Sequence, residues 1–417
     1  MLRFSTASGK RLVHQDCGNG NELVVFQRMS EDSALSEIAA YEQLLLDAGY
    51  ELYQVNEVSN NRFVTYINDT DMIHCNYFRA MGEFRIISGP RTWLGPAHAI
   101  TDYENTVTPS VSIIGMNDNV QCMVVQLCDG SYIVIDGGWG HDANITKYMN
   151  KGTEEEIEVT YFRDAAADME SLYNFLKDNA PKGEKPRVTW MITHADPDHI
   201  ALPTRFFTDY ADRFELETVC YNFPNFYNIS LGTYGSPNNP DHFTAHARNY
   251  IDAANANFPS VKHFIYHTGQ KLYLPGCEIE FLFTAGEDYW PNAMPWMNHT
   301  SGAWRITIDG ATMVIPGDCE RGLNDQMVTT FGDHLQSDIL QLNHHGCNGA
   351  TLGFYQAIDP TVCFWTSQQY HFDHDRRHRG IQPGYEFNAF LRNSPKVKAN
   401  YTNTETHTVL LPSLEEK

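Results

Sequence analysis

The stretch THADPDH, residues 193–199, lies at the end of an apolar run, residues 188–193, that predicts a β-strand. It places four imidazole or carboxylate side chains within six residues, and a turn after a strand can bring such groups to one point, as a metal ion requires. Pro197 would stiffen that turn. The same residues are also typical of a polar turn whose aspartate caps a helix, here predicted over residues 200–214.

Two further predicted strand ends carry similar side chains. Asp318 follows an apolar run at residues 312–315, and His344 and His345 follow another at residues 339–342. Taken singly, a strand-end aspartate is common in turns, and a histidine pair can be a hydrogen-bonded structural pair. Three such clusters in one chain, each directly after a predicted strand, indicate a metal centre.

The pattern of these residues resembles that of the metallo-β-lactamase fold hydrolases. The usual signature of that superfamily is HxHxDH, and Asp196 stands here at the position of the second histidine. The HxDxDH form, together with Gly317-Asp318 and His344-His345-Gly346, is similar to the branch that contains the metallo-β-lactamase domain of ComEC, the DNA-uptake channel protein of competent bacteria. The resemblance covers residues 108–415, and its other matching segments are residues 129–130, 135–138, 269–283 and 298–301.

The resemblance implies a set of ligands for two divalent metal ions. These are His194 and Asp196 for one ion, Asp198 and His199 for the other, Asp318 between the two, and His344 or His345 to complete the second site. Spacing does not choose between the last two histidines. At the third motif the branch pattern favours Asn298, with His299 as the alternative, and Asp136 would orient ligands rather than bind metal.

Replacing an imidazole with a carboxylate makes the site richer in oxygen. Zinc still fits such a site, but the preference moves toward manganese or iron. Two such ions lower the pKa of a bound water to about neutrality and so supply a hydroxide nucleophile. The resemblance therefore implies a dinuclear metal-dependent hydrolase of a phosphoester or phosphodiester, with Asp198, His199 and Asp318 as catalytic residues.

Two segments near the predicted site supply candidate substrate contacts. An aromatic, proline-rich loop at residues 287–296 ends in Trp296, shortly before Asn298, and could wall a pocket or simply pack on the surface. The cationic cluster at residues 371–379 contains Arg377 and Arg379, which could grip a phosphate or carboxylate. A solvated turn, balanced by its own aspartates, explains that cluster equally well.

Composition restricts the partners. The chain has 29 basic and 52 acidic residues, so its net charge of −23 disfavours double-stranded nucleic acid and favours a small anionic substrate, such as a nucleotide. No apolar run approaches the ~20 residues needed to span a bilayer, and no membrane partner is expected. Nine scattered cysteines without a CxxC pair favour a reducing compartment, and we expect a cytoplasmic protein.

The mixture of predicted strands and helices indicates an α/β fold. Residues 1–104 predict a small α+β module, with a helix at residues 34–48 and strands at residues 51–55, 62–68, 72–78 and 84–88. For residues 105–417 the resemblance implies a metallo-β-lactamase αββα sandwich, in which two mixed sheets are flanked by helices. The role of the first module is left open, and exposed sheet edges would let it bind a protein partner or self-associate.

Two other functions fit the same residues. Flavodiiron proteins are similar in having a metallo-β-lactamase fold with an acidic residue, usually glutamate, in place of the second histidine. They also carry a flavodoxin domain after that fold, whereas here the fold is expected to run nearly to Lys417. The other alternative is a non-catalytic, metal-stabilised scaffold whose N-terminal module binds a protein.

Overall fold

The structure of the protein is a computed structural model that describes residues 4, 6, 9–27, 29, 31–150, 156–228, 240–284, 287, 297–319, 321–346, 350–373 and 385–417. Its first part is a six-stranded antiparallel sheet with one helix on it. The elements are β1 (Lys10–Gly18), β2 (Asn21–Gln27), α1 (Glu31–Asp47), β3 (Glu51–Val58), β4 (Asn61–Ile67), β5 (Asp71–Phe78) and β6 (Glu83–Pro90). The strand order across the sheet is β1-β2-β6-β5-β4-β3.

Helix α1 packs an apolar stripe against one face of this sheet. Ala34, Ile38, Tyr41 and Leu45 recur at helical spacing, and each is at most 2% exposed. Their partners on the strands are Val24, Phe26, Val64, Tyr66, Ile73, Cys75, Tyr77, Phe84 and Ile86. The helix ends before Gly49, whose φ of +88° suits a residue without a side chain. The predicted helix on an antiparallel sheet is therefore present.

Strands β1 and β2 are absent from the sequence prediction. β1 reads KRLVHQDCG, a run without clean alternation of apolar and polar residues, and such a run gives no strand signal. It pairs with β2, whose Leu23 and Val25 are fully buried. Pairing with β2, rather than a local sequence pattern, therefore accounts for the strand conformation of β1.

The other face of the N-terminal sheet lies against the rest of the chain through polar contacts. The Asn56 amide donates to the carbonyl oxygen of Gly269 (3.0 Å) and to the carboxylate of Glu280 (2.6 Å). The Asn76 amide donates to the carbonyl oxygen of Thr268 (3.2 Å). Similar bonds join Gln54 to Lys271, Asn61 to Thr330 and Arg85 to Glu287. Because a buried polar group without a partner costs about 1–3 kcal/mol, this face is fitted to the second part of the chain.

Two seven-stranded sheets make up the second part. The first sheet has the order β14-β13-β12-β9-β8-β7-β22 and the second has the order β15-β16-β17-β18-β19-β20-β21. The strands of the first sheet are β7 (Ser110–Ile113), β8 (Cys122–Gln126), β9 (Tyr132–Asp136), β12 (Arg187–Met191), β13 (Glu215–Tyr221), β14 (Lys262–Ile265) and β22 (His407–Leu410). Those of the second are β15 (Lys271–Leu274), β16 (Cys277–Phe283), β17 (Ala303–Ile308), β18 (Ala311–Ile315), β19 (Ile339–Gln341), β20 (Val362–Trp365) and β21 (Ala399–Thr402).

The two sheets pack face to face over a shared apolar core. In β9, Ile133 and Ile135 point into this core, while the alternating Tyr132 and Val134 point to the opposite side. Residues that meet them from the second sheet include Ile279, Phe281, Trp304, Ile306, Met313, Ile315 and Phe364. Both faces of each sheet are thus covered, which explains why these strands read as nearly continuous apolar runs.

Helices cover the outer faces of both sheets. They are α2 (Ala165–Asn179), α3 (Pro197–Asp209) and α4 (Pro240–Asn257) on the first sheet, and α5 (Arg321–Phe331), α6 (Leu352–Ile358) and α8 (Tyr385–Asn393) on the second, with a short α7 (Gln369–Asp373) before α8. The resulting layers are helix, sheet, sheet and helix, which confirms the predicted αββα fold class. Among the described helices, none has the length and apolar character needed to cross a membrane.

An antiparallel ribbon of β10 (Ala143–Asn150) and β11 (Glu156–Arg163) leaves the first sheet after β9. Its base is held by the buried carboxylate of Asp118, which accepts from the Lys147 ammonium (2.6 Å) and from the Arg163 guanidinium (2.6 Å). Burial raises the pKa of Asp118, but Lys147 and its other donors outweigh burial and leave the pKa below the usual value. The carboxylate is therefore a charged anchor for the ribbon.

Where the two parts of the chain meet, His74 is buried and contacts the ring of His267, with ring centroids 4.0 Å apart and the ring planes tilted by 36°. Burial lowers the pKa of His74 well below its usual value, and His267 lowers it further. The unfolded chain, in which the pKa of a histidine is about 6.5, therefore takes up a proton that the folded protein does not. We expect the free energy of unfolding to fall between pH 7 and pH 5, by up to about 2 kcal/mol from this residue.

Denaturant unfolding of a His74→Gln variant at pH 7 and pH 5 tests this expectation. The variant should lose less stability on acidification than the parent protein, because it lacks the group that protonates. Replacing the exposed His98 in the same way is the matched control and should leave the pH dependence unchanged. Equal pH dependence in the His74→Gln variant and the parent would contradict the assignment.

Candidate metal centre

The segments that follow strands β9, β12, β18 and β19 meet at one place. β9 and β12 are parallel neighbours in the first sheet, and β18 and β19 are parallel neighbours in the second. Because parallel neighbours end at the same edge of a sheet, their following loops converge. The described side chains there include two groups whose ligand atoms all lie within 4.8 Å of one another: His194 with His199 and Asp318, and Asp198 with His199 and His345.

The loop after β12 turns directly into helix α3. Asp196 occupies the position before the first helical residue and Pro197 begins the helix, but the Asp196 side chain makes no capping hydrogen bond. Its carboxylate lies instead 3.4 Å from Nε2 of His194. The side-chain cap that the alternative interpretation expects is therefore absent at Asp196. Asp198 and His199 follow in the first turn of α3, where the Nδ1 atom of His199 contacts Asp136.

Asp136, the last residue of β9, ties the two neighbouring strand ends together. One carboxylate oxygen accepts from the backbone N–H of Thr193 (2.7 Å), and the other accepts from the Thr193 hydroxyl (2.6 Å) and from Nδ1 of His199 (2.8 Å). The residue is fully buried and has a φ of +54°, a conformation that asparagine and aspartate adopt more readily than most residues. The expected role of Asp136 in orienting a ligand matches these contacts.

Asp318 is placed by the loop between β18 and α5. The backbone N–H of Asp318 donates to the Ser301 hydroxyl (3.0 Å), and that hydroxyl also contacts Nδ1 of His194 (3.2 Å). The preceding Gly317 has a φ of +58°, and a Cβ atom there would lie 3.0 Å from Cβ of Thr193. Glycine therefore lets the loop approach the β12 segment closely enough to bring Asp318 beside the imidazoles.

The two histidines after β19 face different surroundings. Nε2 of His345 lies 3.6 Å from Asp198 and 3.5 Å from Asp318, while its Nδ1 contacts the carbonyl oxygen of Thr366 (3.0 Å). Nε2 of His344 lies 3.8 Å from Asp318 and 3.1 Å from the amide nitrogen of Asn298. The side chain of His344 is 20% exposed and that of His345 only 4%. His345 thus points into the cluster and His344 lies at its rim.

Charge is concentrated in this buried cluster. Burial raises the pKa of Asp318, but the imidazoles of His345 and His199 outweigh it and hold the pKa well below the usual value of a carboxyl group. The same balance lowers the pKa of Asp198. Burial lowers the pKa of His345, yet the two carboxylates raise it to about 10. Asp198 and Asp318 are therefore ionised at neutral pH.

The donor atoms of the cluster fit divalent metal ions. Nε2 of His194, His199 and His345 and Oδ1 of Asp318 are buried and have no hydrogen-bond partner among the described residues. The Nδ1 atom of each imidazole, by contrast, contacts a hydroxyl, a carboxylate or a carbonyl oxygen. Metal-binding histidines are held in this way, with one nitrogen engaged by the protein and the other left for the ion.

The remaining predicted site residues are placed differently. Asn298 contacts His344, and His299 belongs to neither of the two groups of converging histidine and carboxylate atoms found among the described residues. The predicted substrate contacts Trp296, Arg377 and Arg379 lie outside the described residues.

The sequence did not indicate that three further residues would hold the candidate ligands in place. Thr193 contacts both Asp136 and the His194 ring, Ser301 links His194 to Asp318, and Thr366 holds His345. Thr366 directly follows β20, so the rule that strand ends supply the site could have found it. Thr193 and Ser301 lie inside the matched motifs but carry no ligand-type side chain.

No protein-family model and no curated protein match this sequence. Among solved structures, the chain is similar to CmlA, a diiron β-hydroxylase from Streptomyces venezuelae, with 10% identity, a TM-score of 0.40, and coverage of 75% of this chain and 55% of that chain. The metallo-beta-lactamase fold protein YhfI from Bacillus subtilis is 12% identical, with a TM-score of 0.36 and coverage of 72% and 99%. The short form of human tRNase Z is 11% identical, with a TM-score of 0.31 and coverage of 65% and 99%. The chain thus spans about half the length of the CmlA structure that it matches.

Asp136→Asn tests the orienting role of the carboxylate. Asparagine tolerates the backbone conformation, but its NH₂ group cannot accept hydrogen bonds from the Thr193 hydroxyl and His199. We expect the affinity for Zn²⁺ to fall by about 10–100-fold while the fold is kept. Equilibrium dialysis with elemental analysis measures this, and Asp309→Asn, in an exposed turn with a φ of +49°, is the matched control. Parent-like affinity in the Asp136→Asn variant would exclude the role.

The geometry also predicts different consequences for the two histidines after β19. His345→Ala should remove a direct ligand and lower the amount of bound metal. His344→Ala should leave the metal content unchanged, because its imidazole lies at the rim. Metal content is measured on both variants after identical dialysis. Loss of metal from His344→Ala but not from His345→Ala would show that His344, and not His345, is the ligand.

Proposed function

We propose that the protein is a dinuclear metal-dependent hydrolase of the metallo-β-lactamase superfamily that acts on a small phosphoester or phosphodiester. The observation that carries this proposal is the convergence of three imidazole nitrogens, each buried and without a hydrogen-bond partner, on the carboxylates of Asp198 and Asp318. Their positions in sequence follow the HxDxDH form of the superfamily pattern, similar to the ComEC branch.

The ligand assignment follows the positions of the donor atoms. His194 and Asp196, 3.4 Å apart, would hold one ion. Asp198, His199 and His345 would hold the second. Asp318 would serve both ions, because its carboxylate belongs with His194 to one group of converging ligand atoms and its Oδ2 is also 3.5 Å from Nε2 of His345.

The chemistry requires a nucleophile and stabilisation of negative charge. When bound, two divalent ions lower the pKa of a coordinated water to about neutrality and stabilise the charge that develops on a phosphoryl group. The chain itself holds the ligand imidazoles through Asp136, Ser301 and Thr366, so they need no reorientation on binding. At the rim, His344 and Asn298 present an imidazole and an amide to an incoming substrate.

A small anionic substrate fits the charge of the chain better than a polymer does. The net charge of −23 would repel a duplex, while the positive ions at the site would attract a single phosphate group locally. We keep Asn298, Trp296, Arg377 and Arg379 as proposed substrate contacts.

The candidate ligand atoms indicate which metal ions suit the site, and they also fit a second candidate function. Three carboxylates and three imidazoles make an oxygen-rich site that suits Zn²⁺ or Mn²⁺ and would also accept iron. The same composition favours a diiron oxidoreductase as the alternative. Iron in the isolated protein, with oxygen reduction and without phosphoester turnover, would select that alternative, and bound metal with no turnover of any kind would select the scaffold.

Two broader assignments accompany the proposal. We infer a division of the chain into residues 1–104 and 105–417, the first of which could also serve a protein partner or self-association through its strand edges. We also infer a cytoplasmic location, since the eight described cysteines are buried and form no disulfide with one another, as a reducing compartment allows.

Asp198→Ala is the direct test of the hydrolase. Parent protein loaded with Zn²⁺ or Mn²⁺ should hydrolyse bis(p-nitrophenyl) phosphate or p-nitrophenyl phosphate. The activity of the variant should be lower by a factor of about 100 or more, because a direct ligand is removed. Asp212→Ala, in the exposed segment after α3, is the matched control and should retain parent activity. Undiminished turnover in the Asp198→Ala variant would reject the assigned site, and a parent inactive on both esters but active on a thioester or lactone would reject the phosphoester assignment.

A further inference from the structure

A second group of histidines lies on helix α4, outside the candidate metal centre. His242 and His246 are one helical turn apart, and their Nε2 atoms are separated by 3.2 Å. The two rings are 4.4 Å apart and nearly perpendicular rather than stacked, so a single point lies within reach of both Nε2 atoms. His242 is exposed and His246 is half-buried, which leaves that point open to solvent.

The separation of the two nitrogens is that of a chelate. Two zinc–nitrogen bonds of 2.0–2.1 Å that end on atoms 3.2 Å apart meet at about 100°, close to the tetrahedral angle that zinc prefers. A rigid helix holds the pair at this distance, because residues four apart lie on the same face. Little side-chain ordering is then needed when an ion binds.

The surroundings favour a cation at this point. Helix α4 packs on α3, and Asp196 at the start of α3 lies close enough to His246 to act on it electrostatically. Burial lowers the pKa of His246, and His242 lowers it further, so the imidazole is neutral and able to bind a metal at neutral pH. Asp196, which is assigned above to the candidate centre, acts on this point through its field and is not a ligand of it.

We propose that His242 and His246 form an accessory site for a borderline divalent transition metal such as Zn²⁺. The site takes two imidazole ligands from one helix face, completes its coordination with water, and lies at the edge of the candidate metal centre without sharing its histidines. Imidazole is the ligand that zinc, copper and nickel prefer over magnesium and calcium, which sets the class of ion. The proposal does not depend on the hydrolase function, because it concerns ion binding alone.

Zinc binding to the complete protein tests the site. Metal-depleted parent, His242→Ala and His246→Ala are titrated with Zn²⁺ by equilibrium dialysis, and bound zinc is measured by elemental analysis. Each variant should bind one equivalent fewer than the parent, or bind that equivalent more than about 10-fold more weakly. The tighter equivalents should be unchanged. His98→Ala, which removes an exposed histidine far along the chain from α4, should match the parent.

Three results would overturn the proposal. The first is parent stoichiometry and affinity in both variants, which would leave the 3.2 Å contact as a simple hydrogen bond between two imidazoles. The second is loss of all zinc from either variant, which would place the effect at the candidate centre through α3. The third is loss of zinc from His98→Ala as well. Since His242 is exposed, His242→Gln provides a second variant that leaves helix packing in place and must give the same loss as His242→Ala.

Discussion

The buried carboxylate of Asp136 is the contact on which the arrangement of the candidate centre depends. It joins the end of β9 to the end of β12 by accepting from the backbone and hydroxyl of Thr193, and in the same place it holds Nδ1 of His199. A free carboxylate at this depth would carry a large desolvation cost, so its three donors are what make its burial tolerable. Because those donors belong to the loop that carries the candidate ligands, the same hydrogen bonds that stabilise the buried carboxylate also fix the orientation of His199.

The second sheet closes the site by a different means. The loops after β18 and β19 are brought close by residues with left-handed backbone conformations, namely Gly317, His344 and His345. Such conformations cost about 1–3 kcal/mol for residues with a side chain and persist where the surroundings enforce them. In this loop the enforcing contacts include the bond from the His344 backbone N–H to the Gly317 carbonyl oxygen (3.0 Å) and the contact of His345 with Thr366. The end of the second sheet that carries the candidate ligands is thus held by contacts within the chain itself.

Local signals allowed an α/β fold and the positions of the clustered polar residues to be predicted, because apolar runs indicate buried strands and those residues directly follow them. The αββα layers were implied by the family resemblance and not by these signals. The sequence did not show whether His344 or His345 is the candidate ligand. That difference depends on the backbone conformation of the two residues and on the contact of His345 with Thr366, which is distant in sequence. The sequence also did not show the docking face of the N-terminal sheet. Asn56 and Asn76 sit at alternate positions of their strands, where a polar residue ordinarily indicates solvent, and only the tertiary structure shows that they are buried. Likewise, β1 gave no periodic signal of its own.

The polar character of that docking face restricts the relative orientations in which the two parts of the chain can pack together. Apolar surfaces attract without regard to direction, and many relative placements would satisfy them. Amides that must each meet one carbonyl or carboxylate group are satisfied in few placements, since a small rotation leaves several of them unpaired at once. The side chains of Asn56, Asn76 and Arg85 therefore restrict the two parts of the chain to one relative orientation.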